Sequence, residues 1–302
     1  MALRHGVWAG LLGAVLVMAG CRPAADPGRN EAPPPAQAAD FPLHAEDYPW
    51  RRTAARYEPL VARFPAPEGF SRDELPDGGW GQWLRHLPLK PPGTAVVTRT
   101  GLPIMRANSP SLAAVVDIDV RRNQECADVI LRLRAEYLRH AGREHEIVLN
   151  LTGRGKLSWP QWQQGMRPRL EGNELEFYKR APPDSSRASF DQYLDSVFEW
   201  CGTLSLAQDG KPVTFEQLQV GDFFVHGGSP GHAVLVADLA RDDQGSVRAL
   251  LLQGYMPAQS MHILAAGGGR PWFDLDPAQA VDTPTWGEFS WSELRRFIEK
   301  AR

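Results

Sequence analysis

Three side chains have the types and the order that a thiol hydrolase needs: a cysteine at 126, a histidine at 232 and an amide at 253. Cys126 falls where a helix should begin. Backbone N–H groups at a helix N-terminus favour a thiolate, the form in which sulfur is nucleophilic. His232 follows a glycine and opens an apolar run, a placement from which an imidazole can take the thiol proton and return it to a leaving group. Gln253 lies on what should be the adjacent strand, where its amide can orient the imidazole; His262 is the other candidate for that third place. Plainer readings stand beside this one. Cys126 shares an apolar face with Ile130, Leu133 and Tyr137, as a core thiol would. It could equally pair with Cys201 in a disulfide. His232 also fits an ordinary hydrogen-bonded histidine.

The elements that must position these groups follow from the periodicity. Ala113 to Val120 is short, apolar and rich in valine and isoleucine, so it predicts a buried strand. A helix follows, with Asn123 as N-cap, Glu125 at its positive end, and Cys126, Ile130, Leu133 and Tyr137 on one face as far as His140, with Gly142 as the stop. A strand over Glu146 to Leu151 and an amphipathic helix over Ser186 to Trp200 come next. Gly221 to Val225 leads into a Gly-Gly-Ser-Pro-Gly loop, and His232 starts a strand whose antiparallel partner is Val247 to Leu252, across the polar turn Arg241 to Gly245. Ser290 and Glu293 have capping-box spacing, which predicts a last helix over Trp291 to Lys300. Helices and strands alternate early and hairpins dominate late. The expected class is α+β: a helical N-terminal part and then an antiparallel sheet, in a single domain over 48–302.

The chain start addresses the protein. Arg4, an apolar run from Val7 to Ala19, and then Gly20 and Cys21 have the layout of a signal peptide over residues 1–20, too short to serve as a membrane span. Val17-Met18-Ala19-Gly20-Cys21 resembles the bacterial lipobox, with Met18 where leucine is usual. That resemblance implies a diacylated Cys21, an N-terminus anchored in an envelope membrane, and two remaining cysteines. Residues 21–47, with Pro33, Pro34 and Pro35, read as a disordered tether. Arg22 lacks the acidic character that marks inner-membrane retention in sorted lipoproteins, which favours the outer membrane.

Other chemistries find less to stand on. A formal charge of −3 gives no footprint for nucleic acid. A zinc site would have to be assembled from scattered residues such as His226, His232, His262 and Asp222, with no recognised spacing, so no metal or cofactor is expected. Asp117 and Asp119 could form an acid/base couple, but carboxylates at a strand end more often cap turns or face water. Trp80 with Trp83, and Trp159 with Trp162, lie near turns rich in glycine or proline. Flat aromatic faces suit sugar rings, which makes these four candidate substrate-binding residues for a glycan-bearing substrate such as peptidoglycan; core packing is the competing role.

Two resemblances follow from these residues. Asn-Gln-Glu-Cys-Ala-Asp at 123–128, Gly-Asp-Phe-Phe-Val at 221–225 and Gly-His-Ala-Val-Leu-Val-Ala-Asp at 231–238 resemble the papain-like superfamily, especially bacterial cell-wall amidases and endopeptidases. The resemblance implies a papain-like fold with Cys126 as nucleophile and His232 as base; the oxyanion-hole glutamine of papain-like proteases would fall at Val120. Separately, Gly81 to Lys90, Cys126-Ala127-Asp128 with Leu131 to Leu138, Pro230 to Val234 and Tyr255 to Gln259 are similar to a bacterial envelope family, domain of unknown function 4846. That similarity spans about residues 55–300, implies one domain and supplies no reaction. The two functions to weigh are an envelope thiol amidase or peptidase and a noncatalytic lipoprotein that binds a ligand or partner.

Overall fold

A computed structural model describes residues 48–50, 57–105, 112–172 and 174–299. The signal segment, Cys21 and the tether lie outside the described residues. Six helices occur among those described: α1 (Leu60–Arg63), α2 (Trp80–Arg85), α3 (Cys126–His140), α4 (Trp159–Gln163), α5 (Arg187–Trp200) and α6 (Thr203–Asp209). No described helix is long and apolar enough to cross a membrane.

The centre is a nine-stranded antiparallel sheet. Its main path uses seven strands, numbered in chain order: β1 (Leu112–Val115), β2 (Gly210–Pro212), β3 (Phe223–His226), β4 (His232–Arg241), β5 (Val247–Gln253), β6 (His262–Leu264) and β7 (Leu294–Phe297). Across the sheet they run β1-β6-β5-β4-β3-β7-β2, with Ser71–Arg72 added beside β4 and Phe273–Leu275 beside β5. The fold is therefore α+β with an antiparallel sheet, as the alternation of helical and strand periods implies.

The β4–β5 hairpin is the spine. It forms where the two apolar runs and the polar turn between them predict it, with Leu235 opposite Leu252 and Arg241 opposite Val247. Both strands are buried along almost their whole length, with α3 and α2 packed against β4. A register shift between Val236 and Asp238 turns the Asp238 carboxylate inward. There it meets Arg72 at 2.6 Å and Arg85 at 2.8 Å. A carboxylate with no exposed surface is tolerable only when paired in this way.

Helix α3 is buried on every side from Cys126 to Leu138, more completely than an apolar stripe requires. Arg132, Arg134 and Glu136 are internal and paired. Glu136 takes both terminal nitrogens of Arg187 at 2.7 Å, and Arg132 bonds to Asp119, which is how the latter meets the helix. The cap differs from expectation. Asn123 sits in the left-handed region at φ 60°, and the N-cap is two residues later, at Glu125, which forms a reciprocal capping box with Asp128. Asparagine tolerates that backbone conformation and so makes the turn before the helix. Gly142, at φ 68°, follows the helix end as anticipated.

The other elements narrow or change. The strand expected over Ala113 to Val120 is Leu112–Val115, that over Glu146 to Leu151 is Val148–Asn150, and the helix expected from Ser186 starts at Arg187 with Ser186 as its cap. The predicted last helix is not formed. Ser290 and Glu293 do make their capping box, but it closes a single 3-10 turn, and Leu294–Phe297 then runs as a strand. The reason is tertiary: β7 supplies the backbone partners that β3 and β2 would otherwise lack.

Candidate functional site

Cys126 is the first residue of α3, and its sulfur lies near enough to the backbone N–H of Ala233, the chain neighbour of His232, for that group to lower the thiol pKa. Two glycines permit that approach. A Cβ at Gly254 would stand 2.5 Å from Val129 Cγ2 and 2.9 Å from the Glu125 carbonyl, so only a bare backbone lets the end of β5 lie against the first turn of α3. A Cβ at Gly231 would stand 2.3 Å from Thr203 Oγ1, at the start of α6. Thr203 in turn bonds the backbone of Gly228, fixing the loop between β3 and β4. The glycine before His232 is thus a packing requirement of α6.

His232 opens β4 opposite His226, the last residue of β3. Its Nε2 lies 2.8 Å from Gln253 Oε1. Gln253 Nε2 reaches Thr285 Oγ1 at 2.9 Å and His262 Nε2 at 3.1 Å, and His262 Nδ1 lies 3.0 Å from the Ser260 carbonyl. Of the two candidates for the orienting group, Gln253 touches His232 and His262 stands behind it. The imidazole of His232 is boxed in by rings: Tyr255 at 4.9 Å, Trp286 at 5.3 Å and Phe289 at 6.0 Å between centroids. Thr285 and Trp286 both come from the turn between Val281–Thr283 and Gly287–Phe289, and Tyr255 donates its hydroxyl hydrogen to the Thr285 carbonyl. Tyr255, Thr285 and Trp286 did not stand out in the sequence as contacts of His232 or Gln253. The only cue, Thr-Pro-Thr-Trp-Gly at 283–287, reads as an ordinary tight turn.

The electrostatics depart from expectation. Burial pushes the Cys126 thiol up to about 11; the Ala233 and Ala127 N–H groups pull it back, and the nearby carboxyls of Asp128 and Glu125 push it further up. Cys126 is 7 % exposed, and the loss of water outweighs the favourable end of the helix. Burial also takes His232 down to about 4, with the Gln253 bond opposing and His262 adding to the fall, and His262 itself falls to about 4. At neutral pH the site holds a neutral thiol and a neutral imidazole. An attack by this sulfur has to be coupled to proton transfer, because no thiolate stands ready. Cys126 and Cys201 are both free thiols, so the disulfide reading is not realised; burial raises Cys201 as well.

The remaining candidates are dispersed. Trp83, Trp159 and Trp162 are core residues, 2 %, 0 % and 6 % exposed. Trp159 packs edge-on to Phe190, and Arg167 lies over Trp162. None of the three offers a face to a sugar ring. Trp80 is half-buried on Trp83 and helps wall a cavity of about 720 Å³ with Arg134, Arg241 and Arg296. That cavity adjoins Gly221 and Asp222, where β3 begins, whereas His232 lies where β3 ends. Asp222 is engaged by Arg296 and His226 by Glu293, so the residues considered for zinc point to different partners. No group of three or more histidine, cysteine or carboxylate side chains suited to a metal occurs among the described residues.

Comparison with curated proteins and with solved structures returned no match. The model of the family described as Domain of unknown function (4846) matches residues 60–296, a span that takes in Cys126, His232, Gln253 and His262. By that match over most of its length, the chain belongs to the Domain of unknown function (4846) family.

Proposed function

We propose that this protein is an envelope lipoprotein, tethered through lipid on Cys21, whose papain-like domain acts as a thiol amidase or peptidase on peptide substrates such as those of peptidoglycan. One observation carries the reading: Gln253 Oε1 lies 2.8 Å from Nε2 of His232, whose chain neighbour Ala233 brings its backbone N–H close enough to the Cys126 sulfur, at the head of α3, to lower the thiol pKa. In this mechanism His232 takes the thiol proton through Nδ1 as sulfur attacks the carbonyl carbon and then delivers it to the leaving amine. Water hydrolyses the resulting thioester, releasing the acid and restoring the thiol. Gln253 keeps the ring in position throughout.

The experiment is to incubate the full chain with isolated sacculi and with a peptide-amide library, and to read newly formed amines by mass spectrometry. Products that vanish in both C126S and H232A support the reading. Products that persist in C126S, or no product from any substrate, refute it. A second reading has its own support. A thiol raised to about 11, an imidazole lowered to about 4 and burial of both groups suit a noncatalytic relative of such enzymes that binds a ligand or partner. On that reading the wild type and C126S bind alike and neither turns substrate over.

A further inference from the structure

The four polar links behind His232 have a direction, and its origin is a backbone atom. The Ser260 carbonyl can only accept a hydrogen bond, so His262 Nδ1, 3.0 Å away, carries a proton. His262 has no exposed surface, and its polar partners are the Gln253 amide and the Ser260 carbonyl rather than a carboxylate, so it holds one proton and its Nε2 is a bare acceptor. Only the NH₂ group of Gln253 can face such a nitrogen at 3.1 Å. The amide oxygen is thereby turned to His232, whose Nε2 at 2.8 Å has to be the donor. His232 Nδ1 is left without a proton. Thr285 cannot supply this direction. Its hydroxyl lies 2.9 Å from Gln253 Nε2 and 3.1 Å from Oε1, and a hydroxyl donates or accepts equally well.

We propose that His262 is a positioning residue that sets which nitrogen of His232 carries the proton, relaying the polarity of the Ser260 carbonyl through the Gln253 amide. The proposal rests on the reading of His232 as the base, since a bare Nδ1 is the form that could accept the Cys126 proton. It adds a residue that touches neither thiol nor substrate. It also explains why a buried histidine is kept behind a buried glutamine, where an apolar pair would avoid two desolvated polar groups.

The test reads tautomers directly. In the full chain with ¹⁵N-labelled histidine, ring nitrogen to carbon-bound proton correlations should show His232 protonated at Nε2 and His262 at Nδ1. The opposite tautomer at either residue overturns the proposal. In H262L the acceptor is gone, and the ratio of the two His232 tautomers should fall about fivefold, the effect of losing one ordinary net hydrogen bond. In H262Q an amide oxygen can replace Nε2, and the ratio should recover. An unchanged ratio in a folded H262L overturns the proposal. Should H262L fail to fold, T285V decides: the His232 tautomer stays as in the wild type if His262 sets it, and scrambles if Thr285 does. None of these readouts needs turnover. Absence of hydrolysis with the expected tautomers removes only the proposed reaction, and Cys126-dependent hydrolysis with the opposite tautomer removes only the relay.

Discussion

Acidification should destabilise this fold in a window set by its two buried histidines. His232 and His262 both go from an ordinary value of 6.5 to about 4 because burial disfavours the imidazolium. As the pH falls below 6.5, the unfolded chain takes up protons that the folded chain refuses, so stability present above 6.5 drains away until the folded histidines also protonate near 4. Each histidine therefore contributes a loss of roughly 3 kcal/mol across the window, with a slope no steeper than about 1.4 kcal/mol per pH unit. That is a large part of the roughly 5–15 kcal/mol a domain has to lose. Other groups titrate nearby. Asp128, held well above its ordinary value by burial, has the opposite sign, since the folded chain keeps a proton that the unfolded chain gives up. Asp119, held down by Arg132 against the cost of burial, loses its contribution only at lower pH. Comparing wild type with H262Q by urea unfolding, followed by tryptophan fluorescence between about pH 7 and pH 4.5, cancels those shared contributions. The wild type should lose roughly 2.5 kcal/mol more than H262Q over that range. A stability difference that stays constant with pH would show that His262 is not held neutral by burial, and the reasoning would fail.

Three further outcomes follow from the same geometry. Alkylation of Cys126, mapped by mass spectrometry across pH, should rise with a midpoint near 11; a midpoint near the ordinary thiol value of about 8.5 would mean that water reaches the sulfur. D238A should cost roughly 3–5 kcal/mol in urea unfolding, because it leaves Arg72 and Arg85 facing a buried void in place of their partner, and a cost under about 1 kcal/mol would show that the pair is effectively solvated. G254A should cost roughly 1–3 kcal/mol by forcing β5 off the first turn of α3, and it should reduce any Cys126-dependent turnover by more than its loss of folded protein; full activity in G254A would show that the close approach is dispensable.

What the residue pattern makes legible here is whatever depends on period and punctuation. The α3 span, the β4–β5 hairpin and the side-by-side placement of His232 and Gln253 all come from apolar spacing and turn residues, and they appear in the structure with those partners. What it hides depends on burial and on distant neighbours. The charge pattern of α3 suggests one wet face, yet Arg132 and Glu136 are internal because Asp119 and Arg187 come to meet them. The thiol of Cys126 has the favourable end of a helix in sequence and a desolvated pocket in space, and the second effect is larger. Leu294 to Phe297 follows a helix-type cap and becomes a strand because β3 has an edge to fill. Thr285 meets Gln253 across 32 residues with no local motif to announce it. Trp159 and Trp162 sit in the same kind of local sequence whether they bind sugar or fill a core, and only the packing of Phe190 and Tyr193 against them decides it.

The inward Asp238 imposes an order on assembly. Its two arginines lie 166 and 153 residues earlier in the chain, so neither ion pair can close until more than two-thirds of the protein has emerged from the ribosome. The segment from Ser71 to Arg85 must wait, with Trp83 and Leu84 still unburied, for a hairpin that is made late. Such long-range closure is slow and exposes apolar surface meanwhile, so this chain should depend on holding chaperones during synthesis. For the same reason, a fragment begun after Arg85 to isolate the thiol site would strand a bare carboxylate in the middle of the sheet.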